Sequence, residues 1–268
     1  MTPEGELKPA IVVSGASSGI GRELARLAAG EGAFVLLIGR SAAALSELAA
    51  DLETAGAKTA ALSVDLRDRH AGDEIESALS ARGLYCDVLV NSAGYGLFGR
   101  AAEIGRAEQL DLLDVNARAL TELTLRFLPG MVARRRGGIL NVGSITGYVP
   151  GPNMAIYYAA KSYTRLFTLA LAAETAGTGV TVSCLCPGQV RTAFFERCSV
   201  GRTRLSKLMP RSNAAATAAA GWRGFKAGRR LVIPRPMDRF ISATAVLLPE
   251  TLMLRVVAAL QRAPAHRA

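Results

Sequence analysis

The chain has 268 residues, is 50% hydrophobic and carries a formal net charge of +10. That size and apolar content suit one large domain with its own core. The two histidines, His70 and His266, sit in a polar run and near the C-terminus, which excludes a Ser-His-Asp triad or a histidine metal site.

The N-terminus lacks a basic start ahead of an apolar run, so no signal peptide is expected. The first half then alternates. "AIVVSG" is a strand ending in glycine, "GIGRELARLAAGEG" has helical spacing, and "AFVLLIG" is a second strand before the helical "SAAALSELAADLETAG". "KTAALSVD", helical "AGDEIESALSARG" and "CDVLVNSAG" repeat the pattern. A long helix follows from about Arg106 to Arg135, then "GGILNVGS", a helix over Met154 to Ala176, and "VTVSCLCPG". Apolar runs alternating with helices predict a parallel sheet covered on both faces, a single Rossmann-like doubly wound α/β domain. Cys184 and Cys186 point to one face of the last strand. With no histidine nearby they make a poor zinc site, and with Cys86 and Cys198 they read as reduced thiols of a cytosolic core. No metal is expected.

Between the first strand and first helix, "SGASSGIG" supplies Gly15, Ser17, Ser18, Gly19, Ile20 and Gly21. Small residues there let the backbone approach a pyrophosphate, and the helix N-terminus offers unpaired N–H groups. The spacing is G-x-x-x-G-x-G rather than G-x-G-x-x-G, and alone it equally describes a tight strand-to-helix turn. The second strand ends at Arg40, where an acid would hold the ribose hydroxyls of NAD. An arginine instead suits a 2′-phosphate, so NADP(H) is expected. Asp65 and Leu66, ending the third strand, are placed for the adenine. Asn91, Ala93 and Gly94 end the fourth, where the ligand crevice should lie.

"AIYYAAKSY" raises a choice between Tyr157 and Tyr158 as partner to Lys161, since both spacings share a helix face with the lysine. Taken in order, "SGASSGIG", "NSAG", the serine of "NVGSITG", Y-x-x-x-K and "PG" resemble the short-chain dehydrogenase/reductase family, from about Ala10 to Thr192. Ser92 stands where the family more often has asparagine. The resemblance selects Tyr157, thirteen residues after Ser144, as proton donor. It makes Ser144 the group that polarises a carbonyl and Lys161 the cation that lowers the tyrosine pKa and holds the nicotinamide ribose. It implies that Asn116 holds a relay water, and that Pro187, Gly188, Val190 and Thr192 lie beside the nicotinamide. Tyr158 then points about 100° away. The resemblance also implies a homo-oligomer formed through the helices bearing Asn116 and Tyr157.

Candidate substrate-lining residues are Tyr95, Leu97, Phe98, Tyr148, Val149, Met154, Tyr158, Val190, Phe194 and Phe195, mostly apolar. From Arg197 to Arg239 run eleven basic residues against one acid, Asp238, which accounts for the whole net charge. "NAAATAAAGW" within it reads as helix. From Phe240 to Leu260 the only charges are Glu250 and Arg255. Pro249 and Glu250 fall mid-run, so a split helix pair packed on the domain or lying on a membrane surface is expected, not a span. Nucleic acid is not expected, because no aromatic platform accompanies the charge. The expected layout is a cofactor-binding and catalytic core over residues 1–195. Residues 196–268 add a basic, helical, substrate-side extension of the same domain. This C-terminal layout is similar to a bacterial subgroup of the family often linked to lipid metabolism, which includes reductases of long-chain oxo-lipids such as mycolate precursors. The expected function is thus NADPH-dependent reduction of a hydrophobic ketone or 3-oxoacyl lipid in the cytoplasm, with peripheral membrane contact through the C-terminal segment. An alcohol or steroid-type dehydrogenase acting oxidatively, or a non-catalytic NADP-binding scaffold or sensor, stays open as an alternative.

Overall fold

A computed structural model describes residues 7–192, Cys198 and residues 209–261. Seven parallel strands form one sheet in the order β3-β2-β1-β4-β5-β6-β7. They are β1 (Lys8–Ser14), β2 (Phe34–Gly39), β3 (Thr59–Ser63), β4 (Leu84–Asn91), β5 (Gly137–Val142), β6 (Val180–Leu185) and β7 (Leu231–Val232). The helices α1 (Gly19–Ala29), α2 (Ala42–Thr54), α3 (Ala71–Ser80), α4 (Arg106–Leu113), α5 (Ala119–Ala133) and α6 (Ala155–Glu174) cross between them. Past β6 come α7 (Ala214–Lys226), α8 (Pro236–Leu247) and α9 (Glu250–Leu260). This is the doubly wound fold expected from the alternation.

The sheet is apolar on both faces because both are covered. One face packs Val12, Leu36, Ile75, Leu89 and Met131 under α3, α5 and α6. The other packs Val13, Leu24, Leu37, Leu48 and Trp222 under α1, α2 and α7. The strand order reverses between β1 and β4, and it is there, beyond the strand C-termini, that a crevice opens. Gly15 turns the chain out of β1 with φ of +71°, and a Cβ on it would lie 2.7 Å from the Ala93 nitrogen. Only glycine permits both that angle and that approach.

The helix expected from Arg106 to Arg135 is interrupted. A π-turn at Asp114–Arg118 separates α4 from α5. Its cause is visible in its side chains. Asn116 accepts from the Tyr95 N–H at 3.1 Å and donates to the Tyr95 carbonyl at 2.8 Å. Arg118 donates to the Leu66 and Arg67 carbonyls at 2.9 and 2.8 Å. The turn is thereby pulled toward the loops after β3 and β4, and such bulges concentrate at functional sites.

The apolar C-terminal run splits at Leu248 and Pro249 into α8 and α9, as expected. Among the described residues no helix is long and apolar enough to cross a membrane. Phe194, Phe195 and the basic residues Arg197, Arg202, Arg204 and Lys207 lie outside the described residues, as does His266. Several of the remaining basic residues are engaged structurally. Lys226 pairs with Glu31 at 2.7 Å, Arg239 donates to the Ile233 carbonyl, and Arg235 donates to that of Pro210.

Candidate active site

A cavity of about 450 Å³ runs from the N-terminus of α1 to the inner faces of α8 and α9. One end is a cradle. Gly15, Ser17, Ser18, Gly19, Ile20 and Gly21 line it, with Arg40, Asp65, Leu66, Ala93 and Gly94 around the rim. The first N–H groups of α1 have no carbonyl within the helix to bond. The Ser18 side chain does not cap them. A Cβ on Gly21 would run into the Gly15 carbonyl, so the turn is closed as tightly as backbone allows. Backbone donors, a helix dipole and an exposed arginine fit a phosphate-bearing ligand. Asp65 faces this cavity as half of an ion pair. Arg67 donates to it through Nε at 2.9 Å and through its backbone N–H at 3.0 Å, and this holds the carboxyl below its ordinary range.

Asn91 does not line the cavity, contrary to the expectation from its strand-end position. Its amide donates to Asn141 at 2.9 Å and Thr124 at 3.2 Å, and Asn141 donates on to Thr168 at 2.9 Å. This buried chain ties β4 and β5 to α5 and α6. Asn116 also stands one layer back. A Cβ on Gly94 would meet its Oδ1 at 2.9 Å and the Lys161 Nζ at 3.6 Å, so Gly94 is the thin wall between them.

Mid-cavity, the strand end of β5 and the first two turns of α6 converge. Ser144 starts a 3₁₀ turn (Ile145–Tyr148), and its Oγ accepts from the Thr146 N–H at 3.2 Å. The Tyr157 side chain lies beside those of Ser144 and Thr146, and Ser144 Oγ donates to the Pro187 carbonyl at 3.4 Å. Lys161, one turn on, donates to the Val142 carbonyl at 2.8 Å and lies 5.9 Å from the centre of the Tyr157 ring. All three side chains are buried and line the cavity.

Electrostatics here differ from expectation. Burial pushes the Tyr157 phenol above its ordinary value, with the neighbouring Ser144 hydroxyl pulling the other way. Burial also lowers the Lys161 ammonium to about 8. The lysine was expected to lower the tyrosine; instead the dry site disfavours charge on both. Tyr158 meets Tyr157 edge to face, with ring centres 6.1 Å apart, and its hydroxyl accepts from Gln261. Local geometry thus separates the two tyrosines. Tyr157 stands beside the serine, and Tyr158 bonds the C-terminal end of α9.

Of the expected substrate-side residues, Tyr95, Val149, Met154, Tyr158 and Val190 line the cavity, with Pro187, Gly188 and Thr192 between the two ends. Tyr148 turns away under Arg165, 4.2 Å from its ring centre. Leu97 and Phe98 pack against the Tyr157 cluster and do not line the cavity. The far wall is Ile241, Ser242 and Ala245 of α8 with Met253, Val257 and Leu260 of α9, none singled out from sequence. The signal for them was the largely apolar run from Phe240 to Leu260, whose inner face only the tertiary structure reveals. Asp238 was seen only as a lone acid among bases. It is 1% exposed at the first turn of α8, against Gly188, where a Cβ would meet its carboxylate at 2.5 Å. No group of side chains among the described residues could hold a metal ion.

The short chain dehydrogenase family model matches residues 9–201. Over 209 residues the chain is 34% identical to a very-long-chain 3-oxoacyl-CoA reductase of Laccaria bicolor, covering 76% of this chain and 60% of that protein. It is 34% identical over 186 residues to the NADP-dependent 3-hydroxy acid dehydrogenase YdfG of Escherichia coli (strain K12), covering 69% of this chain and 74% of that one. A short-chain dehydrogenase from Sphingobium yanoikuyae, solved in complex with NADPH, superposes with a TM-score of 0.78 at 26% identity. That match covers 97% of this chain and 99% of the other.

Burial raises the Asp238 pKa, so the folded state holds that proton more tightly than the unfolded chain does. Its stabilising contribution is complete below the unfolded value, about 4, and is lost as pH rises through the folded value. Urea unfolding across that range should show wild type losing stability relative to Asp238→Asn as pH rises. A difference that is constant with pH would contradict the assignment.

Proposed function

The chain belongs to the short-chain dehydrogenase family, and we propose that it is an NADPH-dependent oxidoreductase that reduces a hydrophobic ketone or 3-oxoacyl lipid to the alcohol. The observation that carries this reading is one cavity holding a phosphate cradle, the Ser144–Tyr157–Lys161 set and an apolar far wall. The relatives' names, an oxoacyl-CoA reductase and an NADP-dependent hydroxy acid dehydrogenase, agree with it.

In this reading Gly15, Ser17, Ser18, Gly19, Ile20 and Gly21 hold the pyrophosphate. Arg40 pairs with a 2′-phosphate, and Asp65 and Leu66 flank the adenine. Ala93, Gly94, Pro187, Gly188, Val190 and Thr192 enclose the nicotinamide end, and Asn91 acts only by fixing the strand beneath. The dinucleotide, when bound, would supply hydride. Everything else is done by the chain. Ser144 Oγ donates to the carbonyl oxygen and favours the charge that develops there. Tyr157 gives that oxygen its proton. A phenol held neutral by burial keeps its proton until an alkoxide, a far stronger base, forms beside it. Lys161, fixed on the Val142 carbonyl, stabilises the phenolate left behind. Asn116, locked to Tyr95, shapes the wall through which a water would reprotonate the pair. The apolar far wall supports a greasy substrate over a small carboxylic one.

Cys86, Cys184 and Cys186 are buried thiols, which supports a reducing, cytoplasmic setting. Exposed Phe240 (67%) and Leu247 (83%) on α8 support peripheral membrane contact at the cavity's apolar end. Exposed Leu125 on α5 and Leu166 on α6 support a homo-oligomer through those helices.

Tyr157→Phe should cut NADPH-dependent ketone reduction by about 10²–10⁴-fold while leaving NADPH binding intact. Near-normal turnover would remove Tyr157 from the chemistry. Arg40→Asp should weaken NADPH binding by about 10- to 100-fold and leave NADH binding unharmed or improved. Fluorescence titration of both cofactors checks this, and unchanged preference would remove Arg40 from cofactor choice.

A further inference from the structure

The loop after β3 places Asp65 and Leu66 on the cavity wall. That loop is held by one side chain of the π-turn. Arg118 Nη2 donates to three successive carbonyls, those of Leu66 at 2.9 Å, Arg67 at 2.8 Å and Asp68 at 3.4 Å. Three carbonyl dipoles gathered at one point repel one another, and a cation placed there turns the repulsion into attraction. Arg118 is fixed for this from within its own turn, where its Nε donates to Asp114 Oδ1 at 2.6 Å. Its side chain is 27% exposed, so water screens these bonds only in part.

The loop's other polar bonds do not replace this tie. The Arg67 N–H donates to the Asp65 carboxylate at 3.0 Å, and the Asp68 N–H donates to the Asp65 carbonyl at 2.9 Å. Both shape the loop within itself. Arg67 Nη1 also reaches Asp111 of α4 at 2.6 Å, but both side chains of that ion pair are more than a third exposed. Such a pair contributes little. Arg118 is the main polar tie between the backbone of this loop and the helical layer beside it. It does not itself line the cavity.

We propose that Arg118 is a positioning residue for the adenine half of the cofactor. It acts through the Leu66–Asp68 backbone and keeps Asp65 and Leu66 where the adenine is received. The inference rests on the dinucleotide reading above and extends it to a residue outside the cavity. A loop left slack must be ordered when the ligand binds, and that cost is subtracted from the affinity.

The test is calorimetric titration of the full chain with NADPH and with adenosine 2′,5′-bisphosphate, which carries the adenine half alone. Arg118→Met should weaken both ligands by the same factor, about tenfold. Arg118→Lys keeps a cation but cannot serve the carbonyls and Asp114 together, so it should fall between Arg118→Met and wild type. If Arg118→Met does not fold, Arg118→Lys carries the test through the same two titrations. Arg126→Met separates positioning from plain stability. Arg126 likewise joins α5 to the chain after β3, but through Asp73 and Glu76 of α3, at 2.8 and 2.7 Å. Its loss should leave both affinities unchanged. Unchanged affinities in the Arg118 variants, a loss for NADPH that the bisphosphate does not share, or an equal loss in Arg126→Met would overturn the proposal. Wild type that binds neither ligand would refute the dinucleotide reading along with it, so wild type alone tells the two failures apart.

Discussion

The arrangement of the site depends on one buried cation. Lys161 is almost fully withdrawn from water and donates a hydrogen bond to the Val142 carbonyl at the end of β5. Burying an ammonium is costly, and here the cost is expressed as a pKa lowered to about 8. Around that point the other groups take their places. Tyr157 lies one turn back along α6, Ser144 follows the strand that supplies the carbonyl, and Gly94 keeps the wall beside the lysine free of a side chain. The Asn91–Asn141–Thr168 chain clamps β4, β5 and α6 in the register that makes these approaches possible.

From this centre the cavity divides by chemistry. Toward α1 it is walled largely by a glycine-rich turn, where Gly15, Gly19 and Gly21 leave the backbone N–H groups open to close approach. Toward α8 and α9 it is walled by side chains, mostly aliphatic, supplied by chain that follows the last long strand. The first wall is built from turns whose geometry tolerates little change, such as Gly15 and Gly21. The second is two helices joined at Leu248 and Pro249, whose inner residues can vary without disturbing the sheet. On the proposed reading, reaction type and substrate choice are carried by different parts of the chain.

Much of the first part was legible in sequence, because its signals are local. A glycine turn between an apolar run and a helix, an arginine at the next strand end and a tyrosine four residues before a lysine all act over short spans. What escaped is long-range. The π-turn at Asp114–Arg118 leaves helical periodicity nearly intact, and its cause, Tyr95, is 21 residues away in sequence. Asn91 looked like a crevice residue because it ends a strand, yet its partners sit on β5 and α5. β7, two residues long, exists only through pairing with β6. The direction of the Tyr157 shift was misread for the same reason. Spacing reveals a neighbouring charge, but burial is a property of the assembled site.

If the buried lysine is the hinge of the site, an anionic dinucleotide should bind best to its ammonium form. NADPH affinity, followed by fluorescence across pH with wild type and Lys161→Met, measures this directly. Wild-type affinity should hold below pH about 8 and fall by up to about tenfold per pH unit above it, as the free protein loses the lysine proton. In Lys161→Met that step should vanish. A wild-type affinity flat through this range, or an unchanged step in Lys161→Met, would contradict a titrating lysine at the centre of the site.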